Sequence, residues 1–152
     1  MAAEVGELAP NFSLGGTGGK TYILSDYLGS TLILAFYPED FSPICTTQLN
    51  AYSRSASDFT QLNTTVLGIS PQSSESHDAF AERVGITIPL LADTDKGVGQ
   101  SYGVLGPLGF YRRSVFVIDG DGVIRYAHRT RAGLTYRSSG ELLEVVRSLS
   151  VS

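Results

Sequence analysis

Apolar positions along this chain fall into short runs set off by glycine, proline and small polar residues, and their spacing switches between strand-like and helix-like. The most continuous run covers residues 31–37, bounded by Gly29 and Pro38. A run apolar on every position predicts a strand buried on both faces, in the middle of a sheet. Pro38 ends it, because proline has no N–H for a sheet ladder. Cys45, Leu49, Tyr52, Ala56 and Phe59 then recur at spacings of three and four, which predicts one core-facing helical stripe starting at Ser42. Shorter runs predict a strand over 65–70, a helix over 74–84 closed by Gly85, an edge strand over 88–91, and a short helix over 97–102. A loop with Gly106-Pro107 covers 103–111.

The two ends of the chain read as hairpins and a helix. Residues 12–14 and 21–24 flank a glycine loop and predict an N-terminal β-hairpin. Residues 114–118 and 123–128 flank Asp119-Gly120-Asp121-Gly122, a stronger hairpin pattern. Ser138 with Glu141 forms a capping box ahead of Leu142, Leu143, Val146 and Leu149, which predicts a closing helix. No repeat or linker divides the chain, so residues 1–152 are expected to form a single domain. The order of elements predicts an α/β fold with a central mixed β-sheet flanked by helices.

Composition narrows the function. An apolar fraction of 42% and a charged fraction of 17% are those of an ordinary soluble globular protein. Net charge is −4 with no basic block, which argues against nucleic acid and anionic membrane as partners. The N-terminus has neither a positive region nor an apolar segment of secretory type, and the one cysteine has no partner for an intrachain disulfide. Both observations point to a reducing, cytoplasmic setting.

Three apparent motifs fail on their context. Gly19-Lys20-Thr21 ends like a phosphate-binding loop, but Leu14 stands where its first glycine belongs, and strand-like residues follow. The 119–122 turn resembles a calcium loop, yet Val123 and Arg125 occupy ligand positions and no glutamate closes it. His77, on a polar helix and expected to be exposed, and His128, at the end of a hairpin strand, are candidates for a Cys–His hydrolase only if one lies beside Cys45.

Candidate chemistry centres on Cys45. Ser42 reads as an N-cap and Pro43 as the first helical residue, placing Cys45 in the first turn. Unpaired N–H groups and the helix dipole there favour an anion, so the spacing predicts a reactive thiolate at the floor of a pocket. The competing reading is a buried, inert thiol.

Pro38, Ser42 and Cys45 fit the active-site signature of the peroxiredoxin family: proline, three residues, threonine or serine, two residues, cysteine. Residues 6–12, 89–93 and 113–119 resemble further family motifs, and Cys45-Thr46-Thr47-Gln48 is most similar to the bacterioferritin-comigratory, or PrxQ-like, branch. The resemblance implies a thioredoxin-like fold and reduction of hydrogen peroxide or organic hydroperoxides without metal, haem or flavin. It implies that Cys45 attacks the peroxide bond and becomes a sulfenic acid. By the same resemblance Ser42 hydrogen-bonds thiolate and peroxide, Pro38 shields the pocket, and Arg113 stabilises the developing charge. Arg112 is expected on the opposite face of its strand.

Two positions depart from the pattern. Asn50 stands where many relatives carry a resolving cysteine, so the chain resembles a one-cysteine enzyme regenerated by an external thiol: thioredoxin, a glutaredoxin-like protein or a low-molecular-weight thiol. Gln48 replaces a common glutamate, with a modest change in local electrostatics expected. A monomer and a homodimer are both compatible with the family. The alternatives are a redox sensor that relays oxidation from Cys45 with little turnover, and a thioredoxin-like binding scaffold. A disulfide oxidoreductase is disfavoured, because Cys45-Thr46-Thr47-Gln48 is not a Cys-X-X-Cys motif.

Overall fold

A computed structural model describes residues 3–106, 109–130 and 137–150. Positions 107 and 108 of the expected 103–111 loop lie outside the described residues. Strands β1 (Ser13–Gly15) and β2 (Thr21–Ile23) pair antiparallel as the N-terminal hairpin. A five-stranded mixed sheet follows. It comprises β3 (Thr31–Phe36), β4 (Thr64–Ser70), β5 (Leu90–Ala92), β6 (Ser114–Ile118) and β7 (Ile124–Arg129), in the order β5-β4-β3-β6-β7. The fully apolar run takes the central place, as its pattern requires. It pairs parallel with β4 and antiparallel with β6.

The pleat of β3 divides the core. Ile33, Ala35 and Tyr37 face a cluster formed with α1 (Pro43–Arg54), α2 (Ala56–Gln61), α3 (Ser74–Val84) and α5 (Ser139–Ser150). Leu32, Leu34 and Phe36 face a second cluster that includes Phe12, Leu24, Tyr102, Tyr111 and Phe116, with Val98 of the short helix α4 (Gly97–Ser101) packed against it. Each fully buried aliphatic side chain of β3 contributes roughly 1.5–3 kcal/mol of transfer free energy.

The elements end where local chemistry dictates. Gly85 closes α3 in the left-handed region at φ 79°, a conformation glycine adopts without steric cost. The Ser138 hydroxyl accepts from Glu141 N at 3.2 Å, which is the forward half of the expected capping box. The expected single helix from Ser42 to Phe59 is instead two. Ser55 leaves helical geometry at φ −93° and ψ 3°, and α2 restarts immediately. Ser53, Ser55 and Ser57 crowd that region, and short hydroxyl side chains compete for backbone hydrogen bonds. Cys45, Leu49, Tyr52 and Phe59 still share one buried cluster.

Candidate active site

The site lies where β3 ends and β6 begins. Because the two strands are antiparallel, with Phe36 opposite Ser114, the residue before β6 stands beside the turn that leaves β3. That residue is Arg113, whose carbonyl accepts from Thr130 N at 3.0 Å and from Thr130 Oγ1 at 2.9 Å. The turn over residues 38–42 then delivers the chain into α1.

Ser42 caps α1 as expected. Its Oγ accepts from Cys45 N at 3.2 Å, with Pro43 at the first helical position. Cys45 is therefore in the first turn, on the inward face, with no solvent exposure. Arg113 Nη1 donates to Cys45 Sγ at 3.1 Å and to Gln48 Oε1 at 2.7 Å. The guanidinium is itself buried. A buried cation against sulfur, together with the helix N-terminus, stabilises negative charge on that sulfur and on any oxygen bound to it.

Gln48 is the second layer of this arrangement. Its Nε2 donates to Tyr52 Oη at 3.2 Å, and Tyr52 Oη donates to Arg137 O at 2.5 Å. An amide at this place holds the guanidinium by a hydrogen bond without neutralising it.

Gly68 of β4 makes room beside the site. A Cβ there would come within 3.3 Å of the Tyr37 ring and 2.8 Å of Leu90 Cδ2. Pro38 is half-buried and lines a cavity of about 380 Å³ with Glu39, Pro71, Gln72, Thr94, Lys96 and Phe110. Cys45 is not among the lining residues.

His77 corrects an expectation. It is fully buried, not exposed. Its Nδ1 lies 2.8 Å from Asp40 Oδ2, and its Nε2 lies 2.9 Å from the carbonyl of Leu91. The polar neighbours Glu75 and Asp78 hid the fact that His77 shares a helical face with Phe80 and Val84, three and seven positions on. Both His77 nitrogens are thus engaged away from Cys45, and His128 Nδ1 lies 3.2 Å from Arg137 Nη2. Neither histidine has the partner a Cys–His hydrolase needs.

The AhpC/TSA family model matches residues 5–127. Peroxiredoxin Bcp of Bacillus subtilis is 35% identical over 130 residues, covering 80% of this chain and 82% of that protein. The chain belongs to the peroxiredoxin family. Mouse (Mus musculus) peroxiredoxin-2 is 40% identical over 134 residues, covering 81% of this chain and 68% of that protein. Among solved structures, a cysteine-to-serine mutant of Xylella fastidiosa PrxQ superposes with a TM-score of 0.85 at 29% identity, covering 99% of this chain and 98% of that one. Peroxiredoxins are thiol-dependent peroxidases, and the single cysteine of this sequence fits the one-cysteine type. The relatives favour a peroxidase over a sensor or an inert scaffold.

Proposed function

We propose that Cys45, Ser42, Arg113 and Pro38 form the catalytic centre of this peroxidase, on one carrying observation: Arg113 Nη1 lies 3.1 Å from a fully buried Cys45 Sγ in the first turn of α1. The Cys45 thiolate attacks one peroxide oxygen. The S–O bond forms as the O–O bond breaks, and the departing hydroxide or alkoxide takes up a proton to leave as water or an alcohol. Arg113 stabilises the negative charge as it passes from sulfur to oxygen. Ser42 holds the first turn of α1 through Cys45 N and supplies its hydroxyl to the peroxide. Pro38, which lines the neighbouring cavity, restricts water on that side of the turn.

Regeneration uses two equivalents of external thiol. The first attacks the sulfenic sulfur, releasing water and leaving a mixed disulfide, and the second displaces Cys45 as a thiol. Thioredoxin, a glutaredoxin-like protein or a low-molecular-weight thiol supplies them in the cytoplasm, and the enzyme acts as a monomer or homodimer. Among the described residues no helix is long and apolar enough to cross a membrane.

Stopped-flow oxidation of the reduced protein by hydrogen peroxide, in wild type and Arg113→Ala, tests this reading. Wild type is expected to react orders of magnitude faster than free cysteine, and loss of the guanidinium to slow it by about 100-fold or more. Wild-type oxidation no faster than that of free cysteine rejects the peroxidase centre.

A further inference from the structure

A buried polar cluster beside the active-site turn has no part in the chemistry just described. Asp40 and His77 have no exposed side-chain surface. Around the Asp40 carboxylate converge His77 Nδ1 at 2.8 and 3.0 Å, Tyr37 Oη at 2.8 Å and Ser76 Oγ at 2.6 Å. Tyr37 Oη also lies 3.3 Å from His77 Nδ1. The far nitrogen of His77 faces Leu91 O at 2.9 Å. A carbonyl only accepts, so Nε2 carries hydrogen, and Nδ1 faces the carboxylate. Burial first, and then the charge of Asp40, push the Tyr37 phenol well above its ordinary range, so it remains a donor.

Such a cluster contributes little to stability, because desolvating a charged pair offsets its attraction. What it can supply is position. Tyr37 and Asp40 belong to the segment leading into α1, His77 and Ser76 belong to α3, and Leu91 belongs to β5. The turn is also gripped on its outer side. Phe41 is left-handed at φ 67°, a strained conformation for a bulky residue. Its ring lies 5.0 Å from that of Phe80, and the Arg83 guanidinium sits 5.6 Å above it. Helix α3 thus holds Asp40 through His77 and Ser76, and packs Phe80 and Arg83 on the strained Phe41, one position before the N-cap of the cysteine helix.

We propose that His77, acting through Asp40, is a positioning residue for peroxide reduction: it fixes the 38–42 turn so that Ser42 and Cys45 meet Arg113 in reactive register. This rests on the peroxidase reading. His77 touches neither sulfur nor substrate. It sets where the turn sits, and the turn sets where the first turn of α1 begins.

The test compares wild type with His77→Gln, with the paired-amide variant Asp40→Asn/His77→Gln, and with Tyr37→Phe, which keeps the ring and drops one donor. Two rates are read below the melting temperature, the peroxide rate constant and the rate of Cys45 alkylation by an uncharged reagent, and the melting temperature is measured separately. Alkylation needs only the thiolate, which the helix N-terminus and Arg113 stabilise, whereas peroxide reduction also needs Ser42 and Arg113 to converge on the oxidant. The peroxide rate is expected to fall by about 10–100-fold in the His77 variants and less in Tyr37→Phe, while alkylation falls by a clearly smaller factor in each. Tyr37→Phe carries the test should the His77 variants fail to fold. Peroxide rates within about threefold of wild type in every folded variant, whatever the melting temperature does, overturn the proposal. A parallel fall of both rates also overturns it, since that reports loss of thiolate. A slow wild type removes the peroxidase reading itself, an outcome separable from fast wild type with unaffected variants.

Discussion

Arg113 serves two acceptors through one nitrogen: Cys45 Sγ at 3.1 Å and the uncharged Gln48 Oε1 at 2.7 Å. The choice of an amide matters because two unit charges about 4 Å apart interact by roughly 4 kcal/mol at an effective dielectric near 20. In Gln48→Glu a carboxylate would take part of the guanidinium's field away from sulfur. Peroxide oxidation of that variant at neutral pH is expected to slow by about 3–10-fold, because the guanidinium then shares its field with the new carboxylate. An unchanged rate would show that the Gln48 side chain is electrically irrelevant. Residues of this kind were partly legible in the sequence. Ser42, Cys45 and Arg113 were readable because a capping pattern and a family signature name their positions. The link from Arg113 through Gln48 to Tyr52 was not, although Gln48 and Tyr52 are four apart on one helix. Which polar side chain turns inward depends on a partner 65 residues away. His77 reads as exposed for the same reason. Its neighbours are polar, and its partner Asp40 lies 37 positions earlier.

Strands and helices with a strong period were legible nearly to the residue, because burial on one or both faces determines the period. The break at Ser55 was not, since it depends on local competition among serines rather than on the apolar stripe, which runs through it unbroken. The β6–β7 hairpin shows how much a single turn residue can decide. Asp119 Oδ1 accepts from Asp121 N at 2.9 Å and Val123 N at 3.0 Å, and its Oδ2 accepts from Arg125 Nε at 2.6 Å. Burial pushes this carboxyl up, but Arg125 and the two backbone donors outweigh that and hold it below the ordinary range. A depressed folded-state value stabilises the fold above the unfolded value of about 3.9, and that contribution disappears as pH falls through the folded value. Asp119→Ala is expected to lower stability by about 1–2 kcal/mol at neutral pH. Its melting temperature should also fall less steeply than that of wild type on acidification below about pH 4. Parallel acid limbs for the two proteins would assign the turn's stability to Gly120 and Gly122 alone.

At the scale of the whole molecule, the site exists because a parallel and an antiparallel neighbour both pair with β3. The antiparallel one returns residue 113 to the end of β3, and β7 then closes the sheet at that edge. No local pattern encodes this register. It follows from assembling two core faces at once, and only the resemblance to a family could supply it beforehand. The closing edge carries one ionisable group that ties stability to pH near neutrality. His128 of β7, opposite Val115, is held below its ordinary value by burial and then by the neighbouring Arg137. The unfolded chain therefore binds more protons than the folded one just below about pH 6.5, and stability rises with pH through that window. Acidification from about pH 7.5 to 5.5 should lower the wild-type melting temperature, and His128→Gln should flatten that dependence while leaving the Asp119-linked fall below about pH 4 in place. Equal slopes in wild type and variant would mean that another group links folding to protons in this range.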